Sequence, residues 1–342
     1  MVSILSDANR ERMKPMRNMR KFGIAAVCGI LFLSACGQNK TPVSSVNMES
    51  EIAEKFSVTE DNKYLLEDSV QDVYAEEEKD GATLRVLQTV AYENMICILA
   101  EADLDEEIGK VTDGYTINAK FEFSVEDRVS LHRSGSSELR YDEEKNSLTY
   151  LGTYAFDTPE LEEEMTLNLQ LSEISQSKEE FPPEAYDENG EIRQDYELDE
   201  IIWKPDEPLT VSWTLEKVGK SVEMDIDNEN ILDGKIALTP LYVYVSANKS
   251  DYASWFYPEK QPETDEERFL WAQADPNFAK TVRLGHKNGY YIDAYSRTGV
   301  KLHDLSDSTG AFKVLKAFFT VLNPEEVEYV EIAHEKYELN KE

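Results

Sequence analysis

The sequence predicts an all-β protein, mainly antiparallel, built as two β-sandwiches in tandem with one short helix inserted in the second. Three observations predict it. Apolar residues recur with period two: Tyr115, Ile117, Ala119, Phe121 and Phe123 alternate with Thr116, Asn118, Lys120 and Glu122. Leu209, Val211, Trp213 and Leu215 alternate in the same way with Thr210, Ser212 and Thr214. Turn residues follow at short intervals, and only one later segment carries a helix-start signal. A sheet with one apolar and one polar face must cover the apolar face with another layer, and a second sheet does so.

The N-terminus is read apart from this pattern. Six basic residues, Arg10, Arg12, Lys14, Arg17, Arg20 and Lys21, fall within the first 21 positions. An uncharged run of 14 residues follows, from Phe22 to Ala35. A basic region, a short apolar region and small residues at its end describe an export signal, here residues 1–35. The run is too short for a spanning helix, which needs about 18 apolar residues or more. Leu33-Ser34-Ala35-Cys36, followed by Gly37, resembles the lipobox of bacterial lipoproteins. That resemblance implies lipidation (palmitate-type acylation) at Cys36, cleavage before it, and attachment to the membrane through the lipid anchor on the extracytoplasmic face. Two acyl chains hold stably where a single chain binds reversibly. Translation is expected to start later than Met1, since a start at Met19 keeps Arg20, Lys21 and the whole apolar run.

Residues 36–66 are rich in Thr, Ser, Asn and Glu without a sustained period. They read as a flexible tether, with at most one helical turn near Ile52–Phe56. The first sandwich is assigned to residues 67–226. Its strands include Leu84–Val86 and Met95–Ala100, set apart by turns at Lys79-Asp80-Gly81 and Tyr92-Glu93-Asn94. The alternating segments 115–123, 165–171 and 209–215 complete it. Within it, residues 175–207 break the pattern with Pro182-Pro183, Asp187-Glu188-Asn189-Gly190 and a dense acidic content. They read as an acidic loop or a linker.

The polar run Asp225–Asn230 marks the boundary to a second sandwich, residues 227–342. Its strands fall at Ile236–Val245, Val282–Leu284, Gly289–Tyr295, Phe312–Leu322 and Val327–Ile332. Thr264 with Glu267 three residues later forms a capping box for the inserted helix. Asn323-Pro324-Glu325-Glu326 reads as one capped helical turn. The hairpin patterns Asp80-Gly81-Ala82-Thr83-Leu84-Arg85-Val86 and Tyr92-Glu93-Asn94-Met95-Ile96-Cys97-Ile98, with Gly234-Lys235-Ile236-Ala237-Leu238-Thr239-Pro240-Leu241, resemble a Gram-positive family of extracytoplasmic domains of unknown function. Members occur in lipoproteins and in proteins that look like anti-sigma factors. The resemblance implies two tandem immunoglobulin-like β-sandwich domains and supplies no catalytic residues.

Composition excludes some classes. The chain of 342 residues carries 35 Lys and Arg against 69 Asp and Glu, a net charge of −34. Removing residues 1–35 leaves 29 basic and 67 acidic residues, a net −38. No nucleic-acid partner is expected, because phosphate contacts need an excess of basic residues. Three cysteines give no disulfide framework. Cys97 lies in an apolar strand and reads as a buried, inert thiol.

Ser246-Ala247-Asn248-Lys249 and Ser175-Gln176-Ser177-Lys178 both fit S-x-x-K, but neither opens a helix and no K-T-G partner exists. His132, His286, His303 and His334 are scattered, without zinc-ligand spacing. An EF-hand register starting at Ala185 fails at positions 1 and 12, where Ala185 and Tyr196 stand in place of Asp and Glu. Asp187, Asn189 and Glu191 remain as a weak calcium candidate, so the expectation is no cofactor and no dedicated metal site. Trp255, Phe256 and Tyr257 are the densest aromatic group and the candidate platform for a protein or glycan partner. The expected role is a non-enzymatic, membrane-anchored binding or envelope-sensing module. The alternative is the solute-binding lipoprotein of an importer, which calls for helix-rich α/β lobes.

Overall fold

The computed structural model of the protein describes residues 47–108, 115–126, 133–156, 161–178, 199–228, 231–248, 283–287, 291–293, 301–304, 311–318, 320–332 and 335–339. Their regular structure is almost wholly antiparallel strand, as expected, with one α-helix among the described residues.

The first sheet has the order β1-β2-β3-β6-β5. These strands are β1 (Val70–Lys79), β2 (Ala82–Tyr92), β3 (Met95–Leu104), β5 (Arg133–Asp142) and β6 (Ser147–Phe156). The β1–β2 turn is closed by Asp80 and Gly81, both at positive φ (51° and 79°). That is the conformation a two-residue type I′ hairpin demands, and Gly adopts it without steric cost. The second sheet consists of β4 (Tyr115–Val125), β7 (Thr166–Lys178), β8 (Asp199–Trp203) and β9 (Leu209–Thr214). β8 and β9 pair with successive halves of β7, on the side away from β4.

Without β1, the order β2-β3-β6-β5 facing β4-β7-β9 is the ABED/CFG order of an immunoglobulin constant-type sandwich. The third sheet, β10-β11-β12-β16-β15, repeats the order of the first, and the fourth, β14-β13-β17-β18, repeats the β4-β7-β9 path with β14 added at its edge. Their strands are β10 (Val222–Asn228), β11 (Ile231–Leu238), β12 (Tyr242–Asn248), β13 (Arg283–His286), β14 (Tyr291–Asp293), β15 (Lys301–Asp304), β16 (Ala311–Ala317), β17 (Val327–Ile332) and β18 (Glu335–Glu338).

The first two sheets share one core. Leu84, Ile96, Ile98 and Tyr154 from the first meet Phe123, Leu169, Val211 and Trp213 from the second. The alternating segments thus have the register the sequence predicts. β9 reads buried at Leu209, Val211 and Trp213 and exposed at Ser212 and Thr214. Phe123 stacks on Tyr154 with ring centroids 4.8 Å apart and lies 6.5 Å from Trp213. The third and fourth sheets share a second core, with Ile236, Val243 and Val245 against Leu284, Val327 and Val330.

A third core lies between the sheet pairs. Met95, Cys97, Leu99 and Leu151 on the outer face of the first sheet pack with Tyr242, Tyr244 and Leu315 of the third. Ile52, Phe56 and Leu66 fill the same layer. The first sheet is therefore covered on both faces. A bulge between Val86 and Gln88 turns β2 over, so Val86 faces the inner core and Val90 the outer one.

Several expectations change here. Residues 50–66 are packed structure, not tether. α1 (Ser50–Lys55) and a 3-10 turn at Lys63–Leu66 bury Ile52 and Leu66 completely. A six-residue helix has no stability alone, and tertiary packing supplies it. Lys55 pairs with Glu138 at 2.7 Å and Arg140 with Glu54 at 3.2 Å, tying α1 to β5. The chain is fastened just before α1 by Gln88, whose Nε2 donates to the Asn47 carbonyl at 2.9 Å and whose Oε1 accepts from the Glu49 amide at 3.0 Å. At the ends of the 175–207 stretch, residues 175–178 lie in β7 and residues 199–203 in β8, and the two strands pair antiparallel in the second sheet; residues 179–198 lie outside the described residues. The boundary at 226/227 cuts through β10, which pairs with β11, so the change of sheet pair falls between β9 and β10. Glu223 and Asp225 are polar because β10 is an edge strand, where charge discourages pairing with other chains. The Asn323 turn matches its expectation: the Asn323 side chain accepts from the Glu325 amide at 3.0 Å.

Candidate functional site

A cleft opens where the segments linking the two sheet pairs converge. It has a volume of about 550 Å³, within the usual range for small-ligand pockets. One wall is the 3-10 turn and its exit, with Tyr64, Leu65 and Asp68. A second is the β9–β10 connection, with Lys217, Val218, Gly219 and Lys220. Pro240, Asn323, Pro324 and Glu325 close it from the third sheet's side.

Tyr92, at the end of β2, lines the cleft and is only 2% exposed. Its ring meets Tyr242 edge-on at 5.9 Å. Gly219 passes directly over that ring. A side-chain carbon at 219 would run into the ring and come within 2.9 Å of Ser69 Cβ, so only glycine permits this approach. The Gly219 amide donates to the Ala91 carbonyl at 2.9 Å, which fixes the connection against β2.

The Tyr92 hydroxyl is closed off from solvent beside the Ser69 side chain. Ser69, the nearby polar side chain, donates its own hydroxyl to the Leu66 carbonyl at 3.0 Å. Burial raises the Tyr92 pKa well above the usual tyrosine value, Ser69 opposes this, and the Asp68 carboxylate adds to it. Both charge signs line the cleft. Lys217 Nζ donates to the Glu67 carbonyl at 3.1 Å, whereas Lys220 makes no hydrogen bond or ion pair among the described residues. Asp68 and Glu163 supply carboxylates. The arrangement can hold a ligand that has both charges and some apolar surface, and it contains no paired nucleophile and base.

The residues singled out from sequence lie elsewhere. Cys36, the calcium candidates Asp187, Asn189 and Glu191, and the aromatic candidates Trp255, Phe256 and Tyr257 are outside the described residues, as is the Thr264 helix. Ser175 and Ser246 both sit inside strands, β7 and β12, so neither S-x-x-K stands at a helix start. Cys97 is fully buried, and burial pushes its thiol up to about 11. The Thr153 hydroxyl lies 3.8 Å from its sulfur. No group of three His, Cys, Asp or Glu side chains suited to a metal ion occurs among the described residues. No helix among them is long and apolar enough to cross a membrane.

Sequence reasoning missed the cleft, because its walls come from six places far apart in the chain: Tyr64–Ser69, Tyr92, Glu163, Lys217–Val222, Pro240 and Asn323–Glu325. The one local signal was Gly219 between Lys217 and Lys220 in a stretch with no strand period.

No family model and no curated protein matches the chain. Among solved structures, a conserved domain protein from Bacillus anthracis is similar at a TM-score of 0.42 and 11% identity, over 79% of this chain and 78% of that one. The N-terminal periplasmic domain of ScsB from Proteus mirabilis aligns at a TM-score of 0.18 and 8% identity, over 80% of this chain and 98% of that one.

Proposed function

We propose that the protein is a non-enzymatic binding module of the cell envelope, held on the extracytoplasmic face of the membrane by a lipid on Cys36. The observation that carries this reading is the lipobox-like Leu33-Ser34-Ala35-Cys36 placed 11 residues before Asn47, where Gln88 fastens the chain to the first sheet. Eleven extended residues span at most about 40 Å. The strongly acidic body is repelled by anionic headgroups. An all-β body supports the binding-module reading over the importer reading, whose lobes need helices between parallel strands. The sole α-helix among the described residues has six residues.

The test is fractionation of the full chain beside Cys36→Ser. The wild type should enter the membrane fraction and the variant should be released or remain as unprocessed precursor. Identical fractionation and migration of the two would refute the anchor.

A further inference from the structure

We propose that residues 47–66 form a releasable strap, which leaves its place as a unit while both sandwiches stay folded and so uncovers the outer face of the first sheet around Cys97. The release is a property of the folded body. Only the part of the tether as its handle rests on the binding-module reading with its lipid anchor.

Three observations point there. The first is what the strap packs on. Ile52, Phe56 and Leu66 belong to the layer between the sheet pairs, together with Met95, Cys97 and Leu99 of the first sheet. Neither inner core contains a residue of the strap. The strap can therefore leave without opening the core of either sandwich. Leu99, Leu151, Tyr242 and Leu315 still join the sheet pairs when it does, so its release is not a swing of one sandwich against the other.

The second is that the strap cannot keep its shape alone. α1 has six residues and no side chain capping its start, and the 3-10 turn has four. Ser57 between them sits at a positive φ of 49°. Helical pieces this short form only against a partner. The strap is thus either docked and ordered or undocked and unfolded, and a segment of this kind opens more easily than the whole body unfolds. Its ties run to both sides of the layer. Lys55 and Glu54 pair with Glu138 and Arg140 of β5, and the Phe56 carbonyl accepts from the Val321 amide at 3.1 Å. The Lys55 side chain is nearly buried and its charge reaches the Cys97 thiol, so α1 lies over that sulfur.

The third is the latch. Gln88 is fully buried at the β2 bulge. Its Nε2 donates to the Asn47 carbonyl at 2.9 Å and to the Asp72 carboxylate at 2.6 Å, and its Oε1 accepts from the Glu49 amide at 3.0 Å. A buried amide needs such partners, and two of these three belong to the start of the strap. The latch stands at the end where the tether arrives, so a pull through residues 37–46 reaches Gln88 before it reaches α1. Once Gln88 lets go, the load falls on a helix that has no stability of its own.

The experiment uses Cys97 as a built-in probe. In the full chain carrying Cys28→Ser and Cys36→Ser it is the sole thiol, and its reaction with N-ethylmaleimide is followed by mass spectrometry under native conditions. Labelling through strap release should depend little on urea below the unfolding transition, because little surface is exposed. Ile52→Ala should speed it at least about tenfold, and the milder Ile52→Val at least about twofold. Gln88→Leu, which unfastens the latch, should speed it at least about tenfold. Leu169→Ala is the control: it weakens the inner core of the first sandwich and lowers the melting temperature, but should leave the labelling rate within about twofold. The proposal is overturned if Leu169→Ala speeds labelling as much as Ile52→Ala, since Cys97 is then reached only by unfolding of the body. It is equally overturned if neither Ile52 variant labels faster than the parent. The protein tested carries no lipid, so this outcome and that of the Cys36 fractionation are independent.

Discussion

Tyr242→Ala tests whether the two sheet pairs share one cooperative core. Tyr242 is fully buried in the layer between them. Three losses follow from the substitution. Truncating a buried aromatic ring costs about 3–5 kcal/mol through lost transfer and the cavity left behind. The edge-on contact with Tyr92 contributes about 1 kcal/mol beyond area and goes with it. The Tyr242 oxygen accepts from the Asn94 amide at 3.4 Å, a long bond, and its loss adds a few tenths of a kcal/mol. The first term already contains part of the second, so about 4–5 kcal/mol is expected. For a folded body of about 300 residues, Pro42–Glu342, the unfolding entropy is about 0.6 kcal/mol/K. The melting temperature should fall by about 6–8 °C in differential scanning calorimetry. The transition should stay single and move as a whole. Two resolved transitions, with only one displaced, would show that the sheet pairs unfold independently and would refute the shared core. A fall below about 2 °C would refute the packing of Tyr242 itself.

Two further outcomes are expected. Trp213→Asp should lower stability by several kcal/mol, because residue 213 is 6% exposed against Phe123 and an unpaired charge there has no partner; thermal unfolding checks it, and a neutral result would place Trp213 on the wrong face of β9. Stability should fall as pH rises from about 9 to about 11, the ordinary and folded values of the Cys97 thiol. The sign follows from proton uptake: above pH 9 the unfolded thiol releases its proton while the folded one keeps it, so rising pH favours unfolding, by at most about 3 kcal/mol. Tyr92 and Tyr242, both raised by burial, act in the same direction at higher pH. Urea titrations at pH 8 and pH 10.5 should show the loss, and Cys97→Ala should reduce it.

What the sequence could reveal depended on how many faces of a strand meet water. β4, β7 and β9 each have one wet face, so their alternation is written directly in the residues. β6 has none: Leu148, Tyr150, Tyr154 and Phe156 face the inner core, while Leu151 and Ala155 face the layer between the sheet pairs. Its period vanished for that reason, and residues 133–156 gave no strand signal. β10 was hidden by the opposite cause, since an edge strand carrying Glu223 and Asp225 looks like a polar linker. In the supposed tether, Ile52 and Phe56 at spacing i, i+4 were a real helix signal, but so short a segment is ordered only by partners remote in sequence. The cleft was illegible for the same reason, since it exists only once Tyr64, Tyr92, Gly219 and Pro324 are brought together.

The layer between the sheet pairs also decides how the body can move. Contacts between domains in one chain are usually modest and polar, and relative motion is the default. Here Leu99, Leu151, Tyr242, Leu315, Ile52 and Phe56 are each at most 4% exposed within that layer. Exposing six such side chains costs about 1.5–3 kcal/mol each, or about 9–18 kcal/mol together. That is comparable to the whole stability of an ordinary domain, about 5–15 kcal/mol. Opening at this layer is therefore unfolding, and no low-energy hinge runs through it. The cleft sits at the rim of this layer, beside Tyr92, whose ring belongs to the same core.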